Sequence, residues 1–302
     1  HPMSWRFQLL NKPYGSVTEG PVWDGENLLF THIAASRIYR CNHKTDEITV
    51  WRDGTNRTNG LAHDSEGRLF GCCSGGRSIV RFDPDGTTVT VADRLGGQKL
   101  NTPNDLAVDA KGRIWFTNPW NAGNIDATEV QELDHRAVLR ADPQPGDSYS
   151  VTRVESDSTM PNGVLVSIDG KTLYVAESNS ADPSIDRELR AYPINDDGSL
   201  SPYAVLHTFG TDGKTAQRGI DGMCLDREGN IVATAGNLLA GPGPLIYVFA
   251  PNGRVIETHP VPCDMPTNCC FGGPDRSTLY LTSVNGHFFK AKTDMEGWAL
   301  FP

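Results

Sequence analysis

The chain has 302 residues, a formal net charge of −10, 38% hydrophobic residues, 31 glycines and 20 prolines. An acid excess of this size opposes nucleic acid and anionic membrane as partners, because both are polyanions. The sequence has no uninterrupted apolar stretch approaching the ~20 residues a membrane helix needs. Frequent turn formers point to many short strands joined by tight turns.

From the N terminus, His1-Pro2 before Met3 reads as a cloning remnant, and no apolar run of signal-peptide length follows. The protein is expected in the cytoplasm, with a cleaved leader in the precursor left open. A strand is predicted over 5–10. One phrase then recurs six times: a polar residue opening an apolar strand, a tight turn, and a second strand rich in β-branched and aromatic residues. The copies open on Glu19-Gly20, Asn59-Gly60, Asn104-Asp105, Asn162-Gly163, Asp221-Gly222 and Asn268-Cys269, and turn at Asp24-Gly25, Ser65-Glu66-Gly67, Ala110-Lys111-Gly112, Asp169-Gly170, Arg227-Glu228-Gly229 and Gly273-Pro274-Asp275. Successive starts lie 40, 45, 58, 59 and 47 residues apart, within or slightly beyond the spacing of about 40–50 residues expected of propeller blades.

A second hairpin follows each of the first five copies, with strands expected near 37–41 and 48–51, 78–82 and 87–92, 137–141 and 149–154, 188–192 and 203–206, and 245–249 and 254–258. Turns such as Asp83-Pro84-Asp85-Gly86 and Pro251-Asn252-Gly253 supply the dihedrals a reversal needs. The sixth repeat is short, with a third strand over 287–292 and only 297–301 near the end. The sequence therefore predicts an all-β, single-domain fold over 1–302: a six-bladed β-propeller of four-stranded antiparallel blades, its ring closed by pairing the N-terminal strand with the last blade, which hides an open sheet edge.

Strand direction places all six opening polar residues at one end of the central channel. The second-to-third strand connections emerge on the same face and hold the longest excursions, 118–136, 179–187 and 236–243. Long loops over a polar ring describe a ligand-binding mouth. Glu19, Asn59, Asn104, Asn162, Asp221 and Asn268 bring oxygen donors and two carboxylates around one axis, without thiolate or His. One divalent metal ion is expected there: Ca²⁺ suits the set best, Mg²⁺ or Mn²⁺ are alternatives, and Zn²⁺ or Fe²⁺ fit less well. The competing account is that Asn, Asp and Gly merely begin strands after turns; two unpaired acids near the axis count against it, because they would repel. The seven cysteines lack zinc-type spacing and read as buried thiols.

The phrases Glu19-Gly20-Pro21-Val22-Trp23, Asn101-Thr102-Pro103-Asn104-Asp105-Leu106, Ile114-Trp115-Phe116-Thr117-Asn118-Pro119, Pro161-Asn162-Gly163, Asp221-Gly222-Met223-Cys224 and Phe271-Gly272-Gly273 resemble the senescence marker protein, gluconolactonase and luciferin-regenerating enzyme family, in order and over nearly the whole chain. The resemblance implies a six-bladed propeller hydrolase with one catalytic divalent metal. It implies metal ligation by Glu19, Asn162 and Asp221, with Asn104 touching metal or substrate. Thr102 stands where animal members carry Arg, Asn118 where bacterial members usually carry Asp, and His32 where the family often has an acid. These departures lie on the mouth face and bear on substrate.

The expected reaction is hydrolysis of a small lactone, a sugar aldonolactone or related hydroxy-acid lactone. The metal polarises the carbonyl, Asp221 acts as general base or, less readily, as nucleophile, and Asn104 fixes the carbonyl or completes the metal shell. His32, Asn118, Trp120 and Arg218 are candidate substrate contacts at the mouth. The alternatives are a metal-dependent esterase or phosphotriesterase on the same site, and a propeller scaffold with a structural cation. A closed ring needs no partner subunit, so a monomer or weak homo-oligomer is expected.

Overall fold

The computed structural model describes residues 4–179, 181–211 and 215–302; residues 1–3, expected above to be a cloning remnant, lie outside them. Alternating apolar and polar residues, punctuated by turn formers, fold as six small antiparallel sheets of four main strands each. The chain is a six-bladed β-propeller. Blade 1 comprises Thr18–Trp23, Leu28–His32, Arg37–Cys41 and Ile48–Arg52. Blade 2 comprises Thr58–His63, Leu69–Cys73, Ser78–Phe82 and Thr88–Ala92. Blade 3 has Leu106–Val108, Ile114–Asn118, Ala137–Pro143 and Tyr149–Arg153, and blade 4 has Pro161–Val166, Thr172–Glu177, Arg187–Pro193 and Ala204–Phe209. Blade 5 is Ile220–Asp226, Ile231–Asn237, Ala240–Phe249 and Val255–Pro260.

Blade 6 takes three strands from the C-terminal part of the chain, Pro266–Gly272, Thr278–Ser283 and Phe288–Lys292, and its fourth from Gln8–Leu9. Gln8 lies opposite Lys290 and Leu9 opposite Phe289, so the N-terminal strand closes the ring as its sequence position predicts. Trp5 anchors this closure: it is buried and stacks flat on His259 at 3.7 Å.

Apolar side chains collect in six clusters, each lying across the seam between adjacent blades. Phe30 and Phe288, stacked at 4.0 Å, span the seam from blade 1 to blade 6. Burial between blades thus substitutes for one central core, and the axis is left open for a channel.

The 297–301 segment, to which the sequence reading gave no strand partner, pairs through Gly297–Trp298 with the innermost strand of blade 5, Trp298 opposite Leu225. This covers an inner edge and carries the tail beneath the channel. The excursion at 236–243 is a hairpin continuous with its flanking strands, Asn237 pairing with Ala240, so its tip is only Leu238-Leu239.

Candidate active site

The repeated polar residue sits at an irregular point in the first strand of each blade. Register shifts fall between Glu19 and Val22, Thr58 and Leu61, Pro161 and Val164, Ile220 and Met223, and Pro266 and Asn268. In blade 3 the regular strand begins only at Leu106, after Asn104-Asp105. A bulge bends the strand and re-aims a side chain.

The glycine after the polar residue explains how the blades meet. A Cβ at Gly20 would lie 2.4 Å from the Asn59 carbonyl oxygen, one at Gly60 would lie 2.8 Å from that of Asn104, and one at Gly163 would lie 2.4 Å from that of Asp221. At Gly222 it would lie 2.1 Å from the Asn268 amide carbon. Blades 1, 2, 4 and 5 therefore receive the polar residue of the next blade against a glycine that has no room for a side chain. Blades 3 and 6 break the pattern, carrying Asp105 and Cys269 at the glycine position.

The acids sit close together out of water. Glu19 is buried; its Oε2 accepts from the Gly20 N–H at 2.8 Å and from the Asn268 amide at 2.9 Å. Its carboxyl is pushed well above the usual range, first by burial and then by the charges of Asp221 and Asp105. Asp221 Oδ2 accepts from Arg218 Nη2 at 2.5 Å, and Arg218 Nη1 donates to the Pro266 carbonyl at 2.9 Å. Burial raises Asp221, while Arg218 and hydrogen bonds from Glu19 and Asn162 pull it back. Asp105 is also raised by burial, to about 7, with Asp221 adding to the shift and a bond from the Leu106 N–H opposing it.

Glu19, Asn162, Asp221, Arg218 and Asn268 are brought together, with Asn104 one residue from the third carboxylate. Sequence reasoning missed Asp105, and the signal was present: it is the acid standing where other copies have glycine. The remaining candidates have other neighbours. His32 Nε2 hydrogen-bonds Ser16 Oγ at 2.6 Å and its ring stacks on Tyr14. Burial, with Arg37 nearby, lowers its pKa. Asn118 is wholly buried, and neither side-chain polar atom has a protein partner. Trp120 lies beneath the Arg77 guanidinium, 5.1 Å from the ring centre. Thr102, also buried, donates to the Pro119 carbonyl and accepts from the Asn121 N–H.

The donor set fits a hard cation. Buried Asn162 Oδ1 and Asn59 Oδ1 have no hydrogen-bond partner in the protein, and of the three mutually interacting carboxyls Asp221 is the one that pairs with a guanidinium. Unpaired acceptors and crowded acids are both relieved by positive charge. Among the described residues no three His, Cys, Asp or Glu side chains cluster at metal-binding spacing; the set relies on amide oxygens as well as carboxylates.

A cavity of about 230 Å³ runs below the ring, with Asp105 and Asn268 at its upper end and the 297–301 tail as its floor. Its walls are mainly apolar side chains such as Leu61, Val164 and Met223, so the acid chemistry belongs to the ring above it. The seven cysteines are all free. Cys224, Cys269 and Cys270 line the cavity; burial raises the Cys224 and Cys270 thiols, Cys270 to about 12. Neither of these two is a ready nucleophile at neutral pH.

A family model described as SMP-30/Gluconolactonase/LRE-like region matches residues 17–285. A gluconolactonase of Zymomonas mobilis is 28% identical over 91% of this chain and 79% of its own length. A regucalcin of Xenopus laevis is 28% identical over 89% and 83%. The solved structure of a gluconolactonase from Xanthomonas campestris superposes with a TM-score of 0.78 at 28% identity, covering 96% of this chain and 89% of that one.

Proposed function

The chain belongs to the SMP-30/Gluconolactonase/LRE-like family, and from that premise we propose that it is a divalent-cation-dependent lactonase, a hydrolase that opens the ester ring of a small lactone. The observation that carries the reading is the group of buried Glu19 and Asp221 with half-buried Asp105 beside the unpartnered Asn162 Oδ1. Relatives named gluconolactonase and 6-deoxy-6-sulfogluconolactonase support the ester chemistry. The regucalcins, one of them a structure titled as a calcium-binding protein, support Ca²⁺ as the ion.

Glu19, Asn162 and Asp221 would hold the cation, with Asn104 completing the shell or fixing the lactone carbonyl. When bound, the ion supplies Lewis-acid polarisation of the carbonyl and offsets charge developing on its oxygen. Asp221 takes the proton of the attacking water. Arg218 engages Oδ2 of that carboxylate and orients the group. Asn268, by donating to Glu19, holds the second acid in place. As the ring C–O bond breaks, the proton passes from Asp221 to the leaving oxygen, and the product is the open hydroxy acid. The substrate proposed is a small lactone of the aldonolactone or hydroxy-acid type.

The test separates binding from turnover. Cation affinity would be measured by calorimetry, and kcat on glucono-δ-lactone by acid release, for wild type, Asp221→Asn and Asn104→Ala. A general base contributes about 10²–10⁴-fold, so Asp221→Asn should lose at least ~10²-fold in kcat while keeping its fold. Wild-type turnover in a folded, cation-loaded Asp221→Asn would refute the assignment. An aryl ester or phosphotriester turned over faster than every lactone would move the function to that chemistry.

A further inference from the structure

A pocket of about 520 Å³ opens on the mouth face at the seam of blades 3 and 4, outside the acid ring. One wall is the end of the long second-to-third strand connection of blade 3, with Asp134, His135 and Arg136. The other is the link from blade 3 to blade 4, with Arg153, Ser158 and Thr159. In a chain of formal net charge −10, this lining sets two arginines against one carboxylate. Among the described residues neither arginine has an acid within ion-pair distance, Asp134 included. Arg136 is half-buried, and its guanidinium makes no hydrogen bond among the described residues. Arg153 donates from Nε to the Glu155 carbonyl at 2.9 Å, which leaves its two terminal nitrogens without a partner there.

The rest of the lining seeks a partner too. Ser158 Oγ and His135 Nδ1 are buried atoms with no hydrogen bond in the protein. Burial lowers the His135 pKa and Arg153 adds to the shift, with Asp134 and Glu155 opposing it, so the Arg153 charge reaches the imidazole. Glu155 is already committed: Oε1 accepts from the Val138 N–H at 2.8 Å, and Oε2 from the Asp157 and Ser158 N–H groups at 2.6 and 2.9 Å. Two guanidinium forks beside an unpartnered hydroxyl match an oxyanion, which accepts several N–H and O–H bonds at once.

Both walls are tied to segments that carry the ring. Asn101, three residues before Asn104, donates from Nδ2 to the His135 carbonyl at 2.9 Å. The Thr159 and Met160 N–H groups donate to the Glu177 carboxylate at 2.8 Å each, immediately before the strand of Asn162. Three residues span at most about 11 Å, so Thr159 stands within that reach of Asn162.

We propose that this pocket is an anion-binding site, in which Arg136 and Arg153 hold the phosphate or carboxylate group of a small molecule and Ser158 Oγ supplies a further donor. The site stands independently of the lactonase reading. Two sources share its chemistry: an anionic substituent on the substrate, and a separate small anion.

Inorganic phosphate is the probe. Its binding would be titrated by calorimetry at constant ionic strength for wild type, Arg136→Gln, Arg153→Gln and Ser158→Ala, with melting temperature as the fold control. Lys44→Gln, at an exposed lysine on the outer hairpin of blade 1, controls for net charge. The wild type should take up one phosphate per chain. A hydrogen bond between charged groups is worth about tenfold or more in binding, so each arginine variant should raise Kd at least about tenfold, Ser158→Ala should raise it less, and Lys44→Gln should leave it unchanged. No saturable uptake by the folded wild type, an equal loss in Lys44→Gln, or no loss in either arginine variant overturns the proposal. kcat/KM on 6-phosphoglucono-δ-lactone against glucono-δ-lactone then separates the sources. A preference for the phosphorylated lactone that vanishes in Arg136→Gln makes the anion part of the substrate; saturable phosphate binding without that preference makes it a separate ligand. If neither lactone is opened, the lactonase reading falls and the phosphate titration still decides the site.

Discussion

Gly222→Ala tests how the blades are geared around the site. The added methyl would sit 2.1 Å from Asn268 Cγ and 2.2 Å from its Oδ1, so the Asn268 side chain must move by more than an ångström. Asn268 is buried and uses both ends of its amide: Nδ2 donates to Glu19 Oε2, and Oδ1 accepts from the Cys269 N–H, each at 2.9 Å. Losing the bond to the carboxyl costs about 1.5–3 kcal/mol, and stranding a buried N–H costs about 1–3 kcal/mol. The sum is about 3–5 kcal/mol. For a chain of this length that is a fall in melting temperature of about 6–10 °C, at roughly 2 °C per kcal/mol. Glu19 would also lose an orienting donor, so kcat/KM should fall by at least about tenfold. The assay is a calorimetric melt paired with lactone turnover. Gly210→Ala serves as control, because a methyl there meets nothing within 4 Å. In Gly222→Ala/Asn268→Ala the clash disappears, and the double variant should be less destabilised than the two single costs combined. A Gly222→Ala protein that melts within about 1 °C of wild type and retains its kcat/KM would refute the argument.

Other outcomes follow from the same geometry. Trp5→Ala removes a buried aromatic stacked on His259 and should cost about 3–5 kcal/mol, lowering the melt of the whole ring; an unchanged melt would show that the N-terminal segment does not secure the closure. Ca²⁺ at one hundred times its Kd should stabilise the protein by about 2.7 kcal/mol, an effect absent from Glu19→Gln, whose equal response would place the ion elsewhere. His63 is held down to about 4 by burial. The folded state therefore binds fewer protons than the unfolded one, and this contribution is full above about pH 6.5 and lost as pH falls toward 4, by about 3 kcal/mol. Melts between pH 4 and 7 should show a shallower acid slope in His63→Gln than in wild type; parallel slopes would remove His63 as the cause.

The fold was legible because six copies of one phrase must each bury an apolar face, and alternation with turn residues fixes where every hairpin reverses. Strand direction gathers all six opening polar residues at one end of the channel, and the family resemblance singled out Glu19, Asn162 and Asp221 among them. What the sequence concealed depends on contacts between distant segments. Gly297–Trp298 pairs with the inner edge of blade 5 while Gln8–Leu9 takes the outer position of blade 6, a long-range pairing that no local pattern records. Asp105 was overlooked although it interrupts a run of glycines, since its importance appears only once the neighbouring carboxyls are seen to share its surroundings. The side chains of His32, Asn118 and Trp120 could not be aimed from sequence: His32 bonds Ser16, Asn118 is buried without a polar partner in the protein, and Trp120 lies beneath Arg77, because loop packing sets rotamers and sequence position does not.

The most direct measurement of the central claim is acid release in a weakly buffered solution of glucono-δ-lactone and γ-valerolactone. The protein would be tested first stripped with chelator, then after stepwise return of Ca²⁺, Mg²⁺ or Mn²⁺. The account predicts hydrolysis that is near background in the stripped protein and rises with cation to a plateau, while Glu19→Gln stays low at the same concentration. Equal acid release with and without chelator, or none with the cation demonstrably bound, would contradict it.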